Sequence, residues 1–294
     1  MKRVCKRDIQ LDAMVVCFEL SNSYYYDQIK ELDYGATYDL YEFCLTRIEG
    51  KNYKNVYAIK YDDAGEIFEY GQLKFNFSNG SQESNTHENG TPKVWIAISN
   101  ETLYTKDRYY LGFIADKLGL IFHNYTALDL CLDTPFCVST ILRRYIRDKE
   151  LMTKLNGKFV RDRDEDRKEI TYITSGSLNK DKYMTVTVKQ CNAIKDKRKG
   201  ITVTTYDKVA EIHNSSCKYY ILEHYGNPNR LFRTEVHLNN DEIKAFLQKN
   251  NLDLNPYMLD MQILEVLFFD ALNSVIHFKR GKEVIKWENL LGRR

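Results

Sequence analysis

Residues Ala127 to Asp133 (ALDLCLD) alternate between apolar and polar side chains, and Thr134-Pro135 follow at once. A period of two belongs to an extended strand. Leu128, Leu130 and Leu132 fall on one side of it, and Asp129, Cys131 and Asp133 on the other. Thr134 is expected to cap a helix that begins at Pro135, the position where proline is best tolerated. That helix should run from Phe136 to about Leu151, with Val138, Ile141, Leu142 and Tyr145 on its apolar side. Leu231 to Leu238 (LFRTEVHL) repeats the alternation and sets Arg233, Glu235 and His237 on one face. If the two strands are neighbours, three carboxylates and an imidazole converge.

The rest of the chain is read around these strands. Ala13 to Phe18, Val56 to Tyr61, Leu73 to Phe77 and Lys93 to Ile98 read as strands, with a turn at Asp62-Asp63-Ala64-Gly65. Ser78 to Pro92 is rich in Asn, Ser and Gly. It reads as an exposed loop, with an interdomain linker as the alternative. Asp107 to Leu118 is expected to be helical and to end at Gly119. Ile170 to Ile173, Met184 to Val188 and Ile201 to Tyr206 are further strands. Val209 to about Gly226, Asp241 to Gln248 and Leu259 to Phe269 are expected helices. The order predicts an α+β fold: a split β-α-β, palm-like antiparallel sheet with flanking helices, preceded by a β-rich N-terminal part. The expected division is 1–112 for that part, 113–250 for the palm-like region, and 251–294 for a C-terminal helix and basic tail.

Composition narrows the function classes. The formal net charge of +2 is too small for bulk attraction to nucleic acid, so any such site must come from local clustering. Seven cysteines form no C-x-x-C pair, which argues against a zinc ribbon and fits a reducing compartment. MKRVCKRDIQLD lacks the apolar run of a secretory signal. Met258 to Phe278 is apolar but carries Asp260, Glu265, Asp270 and Asn273, too many polar groups for a membrane span. A soluble, cytoplasmic protein is expected.

An oxygen-rich site with one imidazole suits Mg²⁺ or Mn²⁺. The plain alternative is the solvated face of an amphipathic sheet. A third element, Thr205 to Glu211 (TYDKVAE), sets Tyr206 and Lys208 two residues apart and so on one side of an extended chain. A phenol with a reference pKa near ~10 is a poor nucleophile at neutral pH. A nearby ammonium or metal favours its phenolate. Against this, the chain has 22 tyrosines, most of which must serve packing.

LDLCLD (Leu128 to Asp133), TYITSGS (Thr171 to Ser177), TVTTYDKVAEI (Thr202 to Ile212) and LFRTEVHL resemble, in the same order, four motifs of one family. It is the replication initiation factor family of rolling-circle plasmids and filamentous phages. The likeness covers roughly Leu120 to Leu238; Val94 to Tyr104 also looks like the segment that precedes the catalytic region in such initiators. The resemblance implies a tyrosine-dependent, metal-dependent enzyme that nicks and reseals one DNA strand through a 5′-phosphotyrosyl link. It implies Tyr206 as nucleophile and Lys208 and Arg233 beside it. Asp129, Asp133 and Glu235 would hold the metal, with His237 as a further candidate ligand. Thr204-Thr205 stand where the family has Arg-Ile, and the glycine after Tyr172 is shifted, so Tyr172 is the second candidate nucleophile. No two histidines lie two apart, which argues against the relatives that bind metal through a histidine pair.

Lys195, Lys197, Arg198 and Lys199 are expected to contact DNA phosphates, and the basic C-terminal end (Lys279, Arg280, Lys282, Lys286, Arg293, Arg294) is a second candidate. Solvated loops are the alternative for both. Expected partners are origin DNA, single-stranded or extruded, a host helicase and a second copy of the chain. A DNA-binding protein without enzymatic activity and a metal-dependent nuclease that uses water are the rival functions.

Overall fold

The computed structural model describes residues 8–63, 65–79, 85–105, 110–148, 150–155, 158–160, 172–175, 185–189 and 200–292. Lys195, Lys197, Arg198 and Lys199 lie outside them. The chain divides into two compact units. The first holds residues 1–12, 129–253 and 260–294; the second holds 13–128 and 254–259. The expected division at residue 112 therefore moves to residue 128, and the C-terminal segment joins the palm-like region instead of standing apart.

In the second unit the strand order is β1 (Gln10–Leu20), β6 (Lys93–Ile98), β5 (Glu66–Phe77), β4 (Tyr53–Asp63), β3 (Phe43–Ile48) and β2 (Thr37–Leu40), all antiparallel neighbours. Val16, Phe18, Ile96, Leu73, Phe75, Tyr57, Ile59 and Leu45 are buried. Helices α1 (Tyr24–Ile29), α2 (Asn100–Thr105) and α3 (Tyr110–Lys117) join this core. Tyr26 packs on Phe75 and Phe113 on Phe43, while the Tyr57 hydroxyl donates to the Ile29 carbonyl at 2.5 Å. The Asp62 to Gly65 turn joins β4 to β5, with the Gly65 amide donating to the Asp62 carboxylate at 2.7 Å.

In the first unit the order is β10 (Tyr172–Ser175), β11 (Thr185–Lys189), β12 (Thr202–Asp207), β13 (Phe232–Asn239) and β7 (Leu120–Thr134), then the start of β1. The unit boundaries thus fall inside β1 and β7. Leu128, Leu130 and Leu132 of β7 are buried, as are Val203 and Thr205 of β12 and Val236 and Leu238 of β13. Helix α4 (Val138–Arg147) is fixed through Ser139, whose hydroxyl lies 2.9 Å from both the Thr205 carbonyl and the Thr205 hydroxyl. This α4 starts three residues later than its expected first position. The Thr134 hydroxyl bonds the carbonyls of Phe136 (2.9 Å) and Phe232 (3.3 Å), so it ties β7 to β13 and caps nothing.

The helix expected from Val209 to Gly226 is broken. It forms as α5 (Lys208–Glu211), a π-turn (Ile212–Ser216) and α6 (Tyr219–His224), with Cys217 left-handed at φ 54°. Asn214-Ser215-Ser216 supply side chains that compete for backbone partners, and the Ser215 hydroxyl takes the Glu211 carbonyl at 3.1 Å. Next come α7 (Asn240–Asn250) and α8 (Met261–Val275), capped by the Asp260 carboxylate at the amides of Gln262 and Ile263. The segment expected to be a tail is structured. β14 (Ile276–Arg280) and β15 (Glu283–Ile285) join β8 (Leu151–Leu155) and β9 (Lys158–Val160) in a small antiparallel sheet, followed by α9 (Trp287–Leu290). The mixed architecture, a large antiparallel sheet flanked by helices, is the α+β class expected. Among the described residues no helix is long and apolar enough to cross a membrane.

Gly71 marks the tightest backbone approach in the second unit: a Cβ there would meet the Ala97 carbonyl oxygen at 2.3 Å. Gly71→Ala is expected to destabilise the protein by about 1–3 kcal/mol through overpacking, read as a lower denaturation midpoint in urea.

Candidate active site

The polar face of the first unit's sheet gathers the residues that alternation singled out. Tyr206 stands opposite Arg233 in the β12–β13 register, Thr204 opposite Glu235 and Thr202 opposite His237. The period of two therefore lines Tyr206, Arg233, Glu235 and His237 along one side, with Asp129, Cys131 and Asp133 of β7 on the same side.

Arg233 is the pivot. It is 0% exposed, and a lone guanidinium at such depth would carry a prohibitive desolvation cost. Two carboxylates offset it. Its Nε donates to Asp133 Oδ1 at 2.9 Å and its Nη2 to Asp133 Oδ2 at 2.7 Å, the two-pronged geometry that suits a guanidinium. Its Nη1 pairs with Asp12 of β1.

Beside it the Tyr206 hydroxyl donates to Glu235 Oε2 at 2.9 Å. Burial holds the Tyr206 phenol well above its ordinary range; Arg233 opposes this, and the carboxylates of Glu235 and Asp12 add to it. Burial likewise raises Glu235, reinforced by Asp12 and Asp129 and opposed by Arg233. His237 pairs through Nδ1 with Asp129, and that bond is the main reason its pKa is raised. The Tyr225 hydroxyl, near Asp133, is raised by burial first and by that carboxylate second.

Lys208 is buried between its own helix and the Tyr206 ring. It is 2% exposed, its Nζ donates to Glu211 at 2.8 Å, and the ammonium lies 5.6 Å from the centre of the Tyr206 ring. Its cation is spent on Glu211 and on the ring face. Asp207 caps α5 by accepting from the Ala210 amide at 2.9 Å, which sets the end of β12 and hence the position of Tyr206.

The expectation that Asp129, Asp133 and Glu235 form one metal-binding set meets a different distribution. Asp133 is committed to Arg233, and Asp129 to His237. Among the described residues no three His, Cys, Asp or Glu side chains stand as a ready ligand group. Yet the face holds four carboxylates (Asp12, Asp129, Asp133, Glu235) against one guanidinium and one imidazole. That surplus of negative charge, which adds to burial in raising Glu235, is the chemistry a divalent cation relieves. Asp12 and Tyr225 escaped the sequence reading. Asp12 sits just before an apolar run with no local signal, and Tyr225 is one tyrosine among many.

Tyr172, the second candidate nucleophile, occupies the register position of Val188, which pairs in turn with Val203 and, across β12, with Val236. These three valines are fully buried on the opposite face from Tyr206.

Comparison with solved structures gives the architecture a counterpart. The rolling circle replication initiator protein from Geobacillus stearothermophilus superposes with a TM-score of 0.50 over 97% of this chain and 95% of that chain. The chain has the fold of a rolling circle replication initiator. At 14% sequence identity the likeness is one of fold. No family model matches the sequence, and no curated protein does.

Two outcomes follow from this geometry. Arg233→Met strands the Asp133 and Asp12 carboxylates and is expected to cost about 3–5 kcal/mol in urea denaturation, with Arg233→Lys recovering only part. For His237 the folded pKa is raised, so its contribution is fully present below the unfolded value and is lost as pH rises through the folded one. In the presence of a chelator, stability should therefore fall with rising pH from about 6.5 upward. Asp129→Asn should flatten that decline; an unchanged slope would remove His237 as its source.

Proposed function

We propose that this protein is a replication initiator that nicks one strand of origin DNA through Tyr206. The observation that carries the reading is the Tyr206 hydroxyl 2.9 Å from the Glu235 carboxylate, on the carboxylate-rich face of an initiator fold. A nucleophile bonded directly to a base is the arrangement from which an oxygen attacks. Burial disfavours a free phenolate, so the proton leaves during the attack and not before it. Glu235, itself raised, is a better proton acceptor than an ordinary carboxylate.

The Tyr206 oxygen attacks the phosphorus of the scissile phosphodiester and its proton passes to Glu235. The bond from phosphorus to the 3′ oxygen breaks. A 5′-phosphotyrosyl link forms, and the 3′ oxygen takes a proton from water, which Glu235 replaces by releasing the tyrosine's proton to solvent, to become the hydroxyl that primes synthesis. Because the link conserves the phosphodiester, the same steps in reverse reseal the strand. The reading includes a divalent cation, Mg²⁺ or Mn²⁺, held by Asp129, Glu235 and His237, which when bound would polarise the phosphoryl oxygens. Asp133 serves by holding Arg233, whose positive charge lies against Tyr206 and opposes the penalty on its ionised form.

Tyr206→Phe removes one oxygen and keeps the ring. With Mn²⁺ and single-stranded origin-type DNA, it is expected to abolish both nicking and the denaturation-resistant protein–DNA adduct, while binding is largely kept. Tyr172→Phe should leave the adduct in place. Nicking without any adduct would point to a nuclease that uses water. No adduct from the wild-type protein on any strand carrying its origin would leave a DNA-binding protein.

A further inference from the structure

Asn239 ends β13 and stands at the N-cap of α7, where an asparagine side chain ordinarily accepts from the first free amides of the helix. Here it makes no such bond. Its side chain turns back to the sheet instead. Asn239 follows His237 at a spacing of two, so the two side chains share the polar face. Asn239 Nδ2 donates to the Gly200 carbonyl at 3.3 Å, and its Oδ1 lies 3.2 Å from His237 Nε2.

The Gly200 carbonyl fixes which way the amide points. A carbonyl oxygen only accepts, so it takes the NH₂ end of the amide and leaves the oxygen end to the imidazole. The carbonyl is itself held, because the Gly200 N–H donates to Glu242 Oε1 of α7 at 2.9 Å. An amide oxygen facing Nε2 requires that Nε2 carry the hydrogen. Nδ1 is then the nitrogen that faces Asp129, and its lone pair is free whenever the ring is neutral. Without Asn239, the Asp129 carboxylate is the stronger acceptor and would draw the single hydrogen of a neutral ring to Nδ1. The His237 side chain is 36% exposed and that of Asp129 22%, so the pair is open to solvent.

We propose that Asn239 is the positioning residue of the metal site: it keeps the ring hydrogen of His237 on Nε2 and so presents Nδ1, beside the Asp129 carboxylate, to a divalent cation. The proposal rests on the cation of the reading above and is independent of the nucleophile. It accounts for a residue suited to capping that forgoes the cap. Ligating imidazoles are commonly oriented through the nitrogen that does not bind the metal. Here the orienting group is an amide whose own direction is set by a backbone carbonyl.

The test uses the full chain and has two arms. In the metal-free protein, NMR of the ring nitrogens is recorded at a pH where His237 is neutral, with His237→Gln to assign its signals. The hydrogen should sit on Nε2, and Asn239→Leu should move it largely to Nδ1. In the second arm Mn²⁺ binding is followed by electron paramagnetic resonance. Asn239→Leu is expected to weaken it about 10- to 100-fold. Asn239→Asp keeps an oxygen at Nε2 and should stay close to wild type. A wild-type neutral ring with its hydrogen on Nδ1, an unmoved hydrogen in the leucine variant, or equal Mn²⁺ affinity in that variant and wild type would each overturn the proposal. Equal losses in the leucine and aspartate variants would do the same, since they would mark a merely structural role. If the first arm holds while wild type binds Mn²⁺ no better than Asp129→Asn, the cation of the reading above falls and Asn239's hold on the ring hydrogen stands. If both arms hold and no adduct with DNA forms, the nucleophile falls and the positioning role stands.

Discussion

A guanidinium shut away from water decides how this sheet is built. Arg233 has no exposed surface, and its charge is tolerable only because Asp133 takes it by two parallel bonds and Asp12 by a third contact. Buried pairs of this kind add little net stability over a well-packed apolar substitute. What they enforce is arrangement. β13, β7 and the start of β1 must lie side by side for the three groups to meet, and once they do, the next residues along each strand fall into place two by two. Glu235 and His237 follow Arg233 on one strand, and Asp129 precedes Asp133 on another.

That arrangement leaves the polar face short of positive charge. Burial, reinforced by neighbouring carboxylates, raises Glu235 and the phenols of Tyr206 and Tyr225, and the bond to Asp129 raises His237. A surface merely turned to solvent would let these groups titrate near their ordinary values. Here burial and mutual repulsion act together, and such perturbation clusters where chemistry is done. The phosphate of a nucleic acid cannot approach four carboxylates unaided. Arg233, and a cation where one binds, are what would make the face receptive to an anion.

Much of this was legible in the sequence, because strand periodicity is a local property. ALDLCLD and LFRTEVHL announced which side chains share a face, and the structure buries Leu128, Leu130 and Leu132 while turning the aspartates to the site. The α+β class followed from the order of elements. What was not legible depended on partners far along the chain. Asp12 has no local mark, and Lys208 reads as a free cation until Glu211 is seen beside it. Thr134 looked like a cap because its neighbours are Pro135 and a helix; a tertiary bond to Phe232 redirected its hydroxyl. The C-terminal strands were hidden because β14 continues the apolar run of α8 without a break in composition, and only Trp287, closing on Ile276, marks the change.

The division of the chain has a consequence for its birth. The first unit is assembled from three stretches of sequence, and the second is made almost wholly between the first two of them. Asp12 must wait 221 residues for Arg233 to be translated. Residues 13–128 of the second unit are translated within that wait, and at ribosomal speeds of about 5–20 residues per second roughly 5 to 20 seconds separate the last of them from Arg233. The inserted unit therefore has the opportunity to fold first, on the ribosome.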